Sequence, residues 1–463
     1  MGWLIGAVGI GIMVFIHELG HFVAARLVGV EVEVLSLGWG PRLVGFKRGN
    51  TWYQVSWLLL IGGYCKMKGE LVPSVAGGEA SARAGSVEAP AAPVHPEGSF
   101  LAASPLQRIL ISAFGPLFNL AFAFIVFALI AWIGFSFPSP DNRIALATDY
   151  TLDSFTQPPP ATVAGLHTGD RIIAIDGKPV HSFQDILESV QQSPGRRLSV
   201  SVERAGGGAR ETLALTPQLD KDSGGGRIGI YAWIDPVVRS TAAASAAAIA
   251  GVQPGDVIVE AGGKPVSNER DVAQAMAEAS TKLAIVVQRS GVRQALTLIK
   301  NGPDPGIVYE VPVYHSPAMG PGGAVEKSAA ETWNAVTMTV KGIGLLFRGV
   351  NWRNAVMGPL GITRAIGQVT TGGFSYGGVG AAARQGFELL AFISVALFLM
   401  NLLPIPAMDG GQIVLWAIEG ARRRAVSTRV IMRLQITGFS ILILLFVFTL
   451  VNDVSRFFTG RLP

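Results

Sequence analysis

The first apolar stretch of the chain carries three residues whose types and spacing suit metal chemistry. His17, Glu18 and His21 form an H-E-x-x-H pattern within residues 2–29. On a helix, this spacing puts both imidazoles on one face, one turn apart, where they can share a Zn²⁺ ion. Glu18 is then placed to take a proton from a water molecule at the metal. The pattern therefore predicts a site for one zinc ion.

A catalytic zinc ion also needs a third protein ligand and an open position for water. The stretch 398–416 contains one charged residue, Asp409, with two prolines before it and two glycines after it. These neighbours should break the helix beside the acid. Helical rise would place His21 and Asp409 each about 12 Å from the cytoplasmic ends of their spans. Asp409 is therefore the favoured third ligand, whereas Glu31 and Glu33 are expected to face water.

The composition predicts membrane spans joined to soluble parts. The 463 residues are 49% hydrophobic and 15% charged, with a mean hydropathy of +0.42. Besides residues 2–29, three runs without charged residues are long enough to cross hydrocarbon. The charge-free runs are 109–140, 389–408 and 434–452. We assign the second, third and fourth spans to residues 106–135, 387–417 and 434–452.

Basic residues predict the orientation of these spans. They collect between the first and second spans and between the third and fourth, so both of these loops should be cytoplasmic. Both termini and the long region 136–386 should then lie outside. This distribution explains the excess of positive charge, and nucleic acid is not expected as a partner. A single cysteine, Cys65, excludes an internal disulfide framework.

An internal duplication occupies the region expected outside. Residues 164–180 and 250–266 match at nine of seventeen positions. In each copy a Gly-Asp turn, a strand, a Gly-Lys-Pro turn, a helical stretch and another strand follow in order. This order resembles circularly permuted PDZ domains, which implies domains at 150–217 and 226–300. PDZ domains bind extended peptides at a sheet edge, although such modules can also serve as spacers.

Two further segments differ from the spans and the duplicated modules. Residues 71–103 are rich in Ala, Pro, Gly and Ser, which predicts a flexible cytoplasmic loop. Residues 325–350 place Val325, Trp333, Val336 and Val340 near one helical face. We expect an amphipathic helix that lies on the outer membrane surface.

The motifs together resemble the site-2 proteases, zinc metalloproteases that act within membranes, and specifically the bacterial group with tandem PDZ domains. The matching motifs cover nearly the whole chain in the family's order: HELGH in the first span, GWGP at 38–41, GGYCKM at 62–67, GPLFN at 115–119 and NLLPIPAMDGG at 401–411. The implied fold is a polytopic α-helical membrane protein with four transmembrane helices, a small membrane-associated β region at 31–70 and two tandem α/β PDZ-like domains.

The resemblance also implies roles for individual residues. His17, His21 and Asp409 would bind the zinc ion, and Glu18 would be the general base. Asn401, Pro404 and Pro406 would contact the substrate. Gly63 and Tyr64, within GGYCKM, would belong to a strand edge that binds the unwound substrate. The amide of Asn119 is a further candidate for substrate binding, or for a hydrogen bond between helices.

The implied activity is hydrolysis of peptide bonds in or near the transmembrane segment of single-span membrane proteins. Such regulated intramembrane proteolysis includes cleavage of anti-sigma factors and of remnant signal peptides. The PDZ-like pair would filter pre-trimmed substrates or bind peptide termini, and the location would be a bacterial inner membrane. Two other classes stay open, a membrane zinc transporter and a non-catalytic membrane adaptor. A transporter has no evident need for Glu18, and an adaptor should tolerate its loss.

Overall fold

The computed structural model describes two separate compact units of the chain. It covers residues 2–70, 96–150, 157–220, 224–300, 302, 304–346 and 357–458. One unit consists mainly of the residues up to Phe135 and from Ser316 onward, and the other contains Ser136–His315. Most of the loop predicted at 71–103, and the end of the amphipathic helix predicted at 325–350, lie outside the described residues.

The α-helices and β-strands of the described residues are numbered in chain order. The helices are α1 (Gly2–Leu27), α2 (Pro105–Ile133), α3 (Pro160–Val163), α4 (Phe183–Gln191), α5 (Ala246–Ile249), α6 (Glu269–Glu278), α7 (Pro321–Leu346), α8 (Pro359–Asn401), α9 (Asp409–Arg422) and α10 (Thr428–Phe458). The strands are β1 (Val32–Arg48), β2 (Thr51–Met67), β3 (Phe135–Pro138), β4 (Ile144–Leu146), β5 (Arg171–Ile175), β6 (Lys178–Pro179), β7 (Leu198–Glu203), β8 (Arg210–Leu215), β9 (Gln218–Leu219), β10 (Gly226–Arg227), β11 (Ile230–Ala232), β12 (Val238–Thr241), β13 (Val257–Ala261), β14 (Lys264–Pro265), β15 (Lys282–Arg289), β16 (Val292–Ile299), β17 (Ile307–Tyr309) and β18 (Val313–Ser316).

Four segments of the described helices are long and apolar enough to cross a membrane. They are Gly2–Leu27, Pro105–Ile133, Gly378–Asn401 and Thr428–Arg456. The sequence predicts a membrane protein with four such helices and additional β structure. The length and hydropathy of these four segments confirm that prediction. Ser104 caps the start of the second segment, where Pro105 occupies the first turn.

Helix α8 is not straight. At Gly378 the backbone leaves the helical conformation, with φ 70° and ψ −158°. Gly373 packs against Ala382, and Gly386 against Thr370, so the residues before Gly378 fold back beside those after it. Only the second half, Gly378–Asn401, has the length and hydropathy of a span.

The long strands β1 and β2 form a bent antiparallel sheet. Residues 34–37 of β1 pair on one side with 52–55 of β2 and on the other with 63–66 of the same strand. The segment 63–67 is therefore an edge of this sheet, and no other described strand pairs with it. An edge of this kind offers backbone groups for an additional strand.

A shared hydrophobic core joins this sheet to α1, α2, α9 and α10. Ala25, Leu35, Met67, Ile111 and Trp416 are all buried in it. Arg108 of α2 forms a buried ion pair with Glu419 of α9 and stacks over the Trp416 ring. The orientation of α9 is thus fixed by both apolar packing and a charged contact.

Helix α7 packs through small residues. Ala324, Ser328 and Ala335 are buried, and the Ser328 hydroxyl donates to the Phe124 carbonyl of α2 at 2.5 Å. Val325, Trp333 and Val340, on the apolar face that the sequence predicts, are exposed. Small side chains allow close approach of two helices, which explains why the packing face is not the bulkiest face.

The second unit contains two four-stranded sheets of equivalent order, β6-β5-β7-β8 and β14-β13-β15-β16. Each sheet covers its own hydrophobic core together with one longer helix, α4 or α6. The Gly-Asp turn is held in the same way in each copy. Arg204 forms an ion pair with the buried Asp170, and Arg289 forms one with the buried Asp256. The duplication in the sequence is therefore a duplication of structure.

Candidate active site

The two histidines of the H-E-x-x-H pattern face one point beside helix α1. His17 and His21 lie one turn apart, and their Nε2 atoms are 3.2 Å from each other. Both side chains are largely buried, with 14% and 11% of their surfaces exposed. The helical spacing therefore brings the Nε2 atoms together, as expected from sequence.

Asp409 reaches the same point from the far end of the chain. One carboxylate oxygen lies 3.2 Å from Nε2 of His17, and the other lies 3.4 Å from Nε2 of His21. Residues 402–408 separate α8 from α9, so the predicted span 387–417 is made of two helices. Pro404 and Pro406 lie in this break. They explain it, because proline cannot continue a helix without losing a hydrogen bond. Asp409 is the first residue of α9.

The spacing of these donors fits a zinc ion. Bonds of about 2.0–2.1 Å in a tetrahedral arrangement imply ligand atoms about 3.4 Å apart. The two Nε2 atoms are 3.2 Å apart, and each lies 3.2 or 3.4 Å from a different oxygen of Asp409. Two imidazole nitrogens and one carboxylate are a donor set that zinc accepts, and three protein ligands leave one position open.

Helix α2 supports His21 from behind. Nδ1 of His21 lies 2.8 Å from the carbonyl oxygen of Ile111. A neutral ring that donates from Nδ1 keeps the lone pair of Nε2 free for a metal. Gly115 permits the close approach, because a Cβ at this position would lie 2.3 Å from Nε2 of His21.

His17 has a different neighbour on α2. Nδ1 of His17 lies 3.2 Å from the side-chain nitrogen of Asn119, which is fully buried. The backbone carbonyl of Asn119 accepts a hydrogen bond from Ser394 of α8 at 3.0 Å. Asn119 therefore joins the first histidine to two other helices.

Glu18 lies against the edge segment of β2. The Glu18 carboxylate lies near the backbone N–H of Cys65. A Cβ at Gly63 would lie 3.2 Å from Cγ of Glu18 and 2.7 Å from the Ser36 carbonyl oxygen. Only a residue without a side chain lets the strand pass so close to α1. Glu18 and the strand edge at 63–67 are thus direct neighbours.

The predicted substrate contacts Tyr64, Asn401 and Pro406 are not among the metal donors and have other neighbours. The Tyr64 hydroxyl accepts a hydrogen bond from Gln54 at 3.2 Å. Asn401 ends α8, and Pro406 packs against Gly438 of α10. Ala407 adopts a left-handed conformation with φ 78°, which is costly for a residue with a Cβ. The break before Asp409 is therefore held under strain.

The Cys65 thiol and the acids Glu31 and Glu33 are not among the three donors. Cys65 is buried in the hydrophobic core, and burial raises the pKa of its thiol well above the usual value. A thiol with a raised pKa is poorly nucleophilic. Glu31 and Glu33 form surface ion pairs with Lys68 and Lys66, as expected for acids that face water.

Sequence reasoning missed how α2 contributes to this site. From the sequence, Asn119 is a candidate for a substrate contact or an interhelical hydrogen bond, and Gly115 has no role in the site. The available signal was their spacing of one helical turn within GPLFN, which puts a small residue and an amide on one face. Ile111 contributes through its backbone, which leaves no trace in the identity of its side chain.

Comparison with known proteins agrees with this geometry. Residues 5–445 match the model of peptidase family M50. A putative zinc metalloprotease of Treponema pallidum (strain Nichols) is 38% identical over 461 residues, which cover 98% of this chain and 99% of that protein. The regulator of sigma-E protease RseP of Escherichia coli (strain K12) is 30% identical over 478 residues, 97% of each chain. A putative zinc metalloprotease of Borreliella burgdorferi is 29% identical over 464 residues, 98% of each chain. The chain therefore belongs to peptidase family M50, the site-2 protease family of zinc metalloproteases.

Proposed function

We propose that the protein hydrolyses peptide bonds in or near the transmembrane segment of single-span membrane proteins, with one zinc ion held by His17, His21 and Asp409. The observation that carries this proposal is the convergence of the three donor side chains from two apolar regions of the chain, next to Glu18. Membership of a peptidase family favours this function over zinc transport or a purely adaptor role.

In this proposal Glu18 is the general base. Zinc, when bound, supplies a Lewis acid that polarises the scissile carbonyl and acidifies water. Glu18 takes a proton from the attacking water, whose oxygen forms a bond to the carbonyl carbon. The carbon–nitrogen bond then breaks, and Glu18 passes the proton to the leaving amine. The products are a new carboxyl terminus and a new amino terminus.

The strand edge at 63–67 is the proposed binding place for the substrate. A transmembrane helix hides its own backbone hydrogen bonds, so an unwound segment needs another partner. An edge strand can supply those bonds, and this one lies against Glu18. Gly63 and Tyr64 would line this edge. Asn401, Pro404 and Pro406, from the break before Asp409, would contact the substrate from the other side.

The duplicated modules of the second unit would act as two PDZ-like domains. Each has one sheet, one longer helix and a separate core. We propose that they exclude large substrates or bind newly exposed termini, so that only trimmed proteins are cleaved. The E. coli relative is named as a regulator of sigma-E, which suggests that an anti-sigma factor, or another membrane-bound regulator, is a substrate. Remnant signal peptides are a second substrate class.

The basic loops favour one orientation in the membrane. In it, both termini and the duplicated modules face the outside of a bacterial inner membrane, and the zinc site lies toward the cytoplasmic side. The helix expected at 325–350 would lie near the outer surface. Cysteine labelling of single positions in the described loops would test this orientation.

Cleavage of a model single-span substrate by the purified full-length protein tests the proposal. Removal of zinc with a chelator should abolish cleavage, and added zinc should restore it. A substrate with a large external domain should be cleaved more slowly than its shortened form. Zinc transport into vesicles without peptide cleavage would contradict the proposal. Equal cleavage of the long and short substrates would contradict only the proposal that the PDZ-like modules exclude large substrates.

A further inference from the structure

We infer that Asn119 positions His17 as a metal ligand by accepting a hydrogen bond from Nδ1–H of the imidazole. The inference rests on the proposed function, in which Nε2 of His17 binds zinc. It extends that function to a residue of α2 that does not bind the metal. The two side chains are 3.2 Å apart, and Asn119 has no exposed surface.

Metal binding through Nε2 fixes the tautomer of His17. Nε2 of His17 faces Nε2 of His21 and the carboxylate of Asp409, so Nε2 is the atom available to a metal. A ligating nitrogen must carry a free lone pair, and the proton of a neutral imidazole then lies on Nδ1. Nδ1 of His17 is therefore a donor. Its partner on Asn119 must be an acceptor.

Only the side-chain oxygen of Asn119 can fill that role. The two ends of an amide exchange places by a half-turn of the group, and the surrounding hydrogen bonds decide between them. With nitrogen toward His17, two donors would face each other, and the buried Oδ1 has no partner among the described residues. With oxygen toward His17, Nδ1–H is satisfied. The N–H pair then takes the buried position of the oxygen, which has no hydrogen-bond partner among the described residues in either orientation of the amide.

The second histidine shows the same arrangement. Nδ1 of His21 lies 2.8 Å from the Ile111 carbonyl oxygen, which can only accept. Ile111 and Asn119 both belong to α2, eight residues apart. One helix would thus supply an acceptor to both imidazoles. Loss of such an acceptor commonly weakens metal binding about 10–100-fold.

Zinc affinity, measured by chelator competition on the purified full-length protein, tests the inference. Asn119→Ala should weaken zinc binding about 10–100-fold. Asn119→Asp should bind zinc close to the wild-type affinity, because a carboxylate accepts a hydrogen bond but cannot donate one. Ser394→Ala is the matched control. It removes the hydrogen bond to the Asn119 carbonyl and leaves the contact with His17, so zinc affinity should not change.

Equal loss of zinc binding in Asn119→Asp and Asn119→Ala would overturn the inference, since an acceptor alone would then not be enough. Wild-type affinity in Asn119→Ala would also overturn it. Either result, with zinc still bound by the wild type, leaves the proposed function intact. Absence of zinc binding by the wild type itself would refute the proposed function, and the inference with it.

Discussion

Nε2 of His17 lies 3.2 Å from a carboxylate oxygen of Asp409, although the two residues stand near opposite ends of the chain. The contact depends on the break between α8 and α9, which places the acid at the start of a helix instead of within one. The start of a helix favours a negatively charged group, because the backbone N–H groups there are unpaired. The donor cluster is therefore a product of helix packing around a broken segment.

The close packing of Gly115 against His21 gives a first prediction. Asn119 and Gly115 lie on the same helix, but only Gly115 touches Nε2 of His21. The added methyl group in Gly115→Ala would come within 2.3 Å of this atom and push the ring away from Asp409. Zinc affinity should fall by about tenfold or more, as for other losses of ligand orientation.

Gly342→Ala is the matched control for this substitution. Gly342 lies in α7, and a Cβ there meets no atom within 4 Å. Its zinc affinity, from the same chelator titration, should equal that of the wild type. Equal zinc affinities in Gly115→Ala and Gly342→Ala would show that the packing at His21 does not constrain the metal site.

The buried ion pair between Arg108 and Glu419 gives a second prediction. Glu419→Gln should destabilise the protein by about 3 kcal/mol, because the buried guanidinium loses its charged partner. Replacing both residues, in Arg108→Met with Glu419→Leu, should cost less than the single change. Thermal unfolding in detergent, followed by circular dichroism, provides the comparison. A double variant whose destabilisation equals the sum of Arg108→Met alone and Glu419→Leu alone would mean that the charges are not coupled.

The equivalent ion pairs of the duplicated modules give a third prediction. The Arg289 guanidinium lowers the pKa of the buried Asp256 carboxyl. A lowered folded-state pKa stabilises the module above the ordinary pKa of an aspartate, about 3.9, and this stability is lost as pH falls through the folded value. Arg289→Gln should remove that contribution and leave the carboxylate buried without a counterion.

Hydrogen exchange on the full-length protein locates the effect. At neutral pH, amides of β13 and β15 should lose protection by more than about tenfold in Arg289→Gln. Amides of β5 and β7 should not change. Arg204→Gln should show the reverse pattern, since it pairs with Asp170 in the other copy. Uniform loss across both modules would contradict two independently packed cores.

The sequence contains the local part of this site and, through the matching depths of His21 and Asp409 in their spans, favours the long-range contact that completes the donor cluster, but it does not contain the contacts with α2. The spacing of His17 and His21 predicts a shared face, and the prolines around Pro404 predict a broken helix, because both depend on neighbouring residues alone. The contact between Asn119 and His17, and the fit of Gly115 against His21, require the relative placement of α1 and α2. Spacing along one helix cannot supply that placement.

The same limit explains two features of the fold. The reversal at Gly378 depends on which residues pack across the turn, and glycines are too common in this segment to mark it. The apolar face of α7 indicates an amphipathic helix, yet the helix packs through Ala324, Ser328 and Ala335. Hydrophobic periodicity shows which face avoids water, but it does not show which face meets another helix inside a membrane protein.

The central claim is that Glu18 moves protons beside a zinc ion held by His17, His21 and Asp409. Its most direct test compares wild type with Glu18→Gln for bound zinc and for cleavage of a single-span substrate, with Glu31→Gln as a surface control. We expect wild-type zinc content in all three proteins, with cleavage reduced about 10²–10⁴-fold in Glu18→Gln alone. Undiminished cleavage by zinc-loaded Glu18→Gln would contradict it.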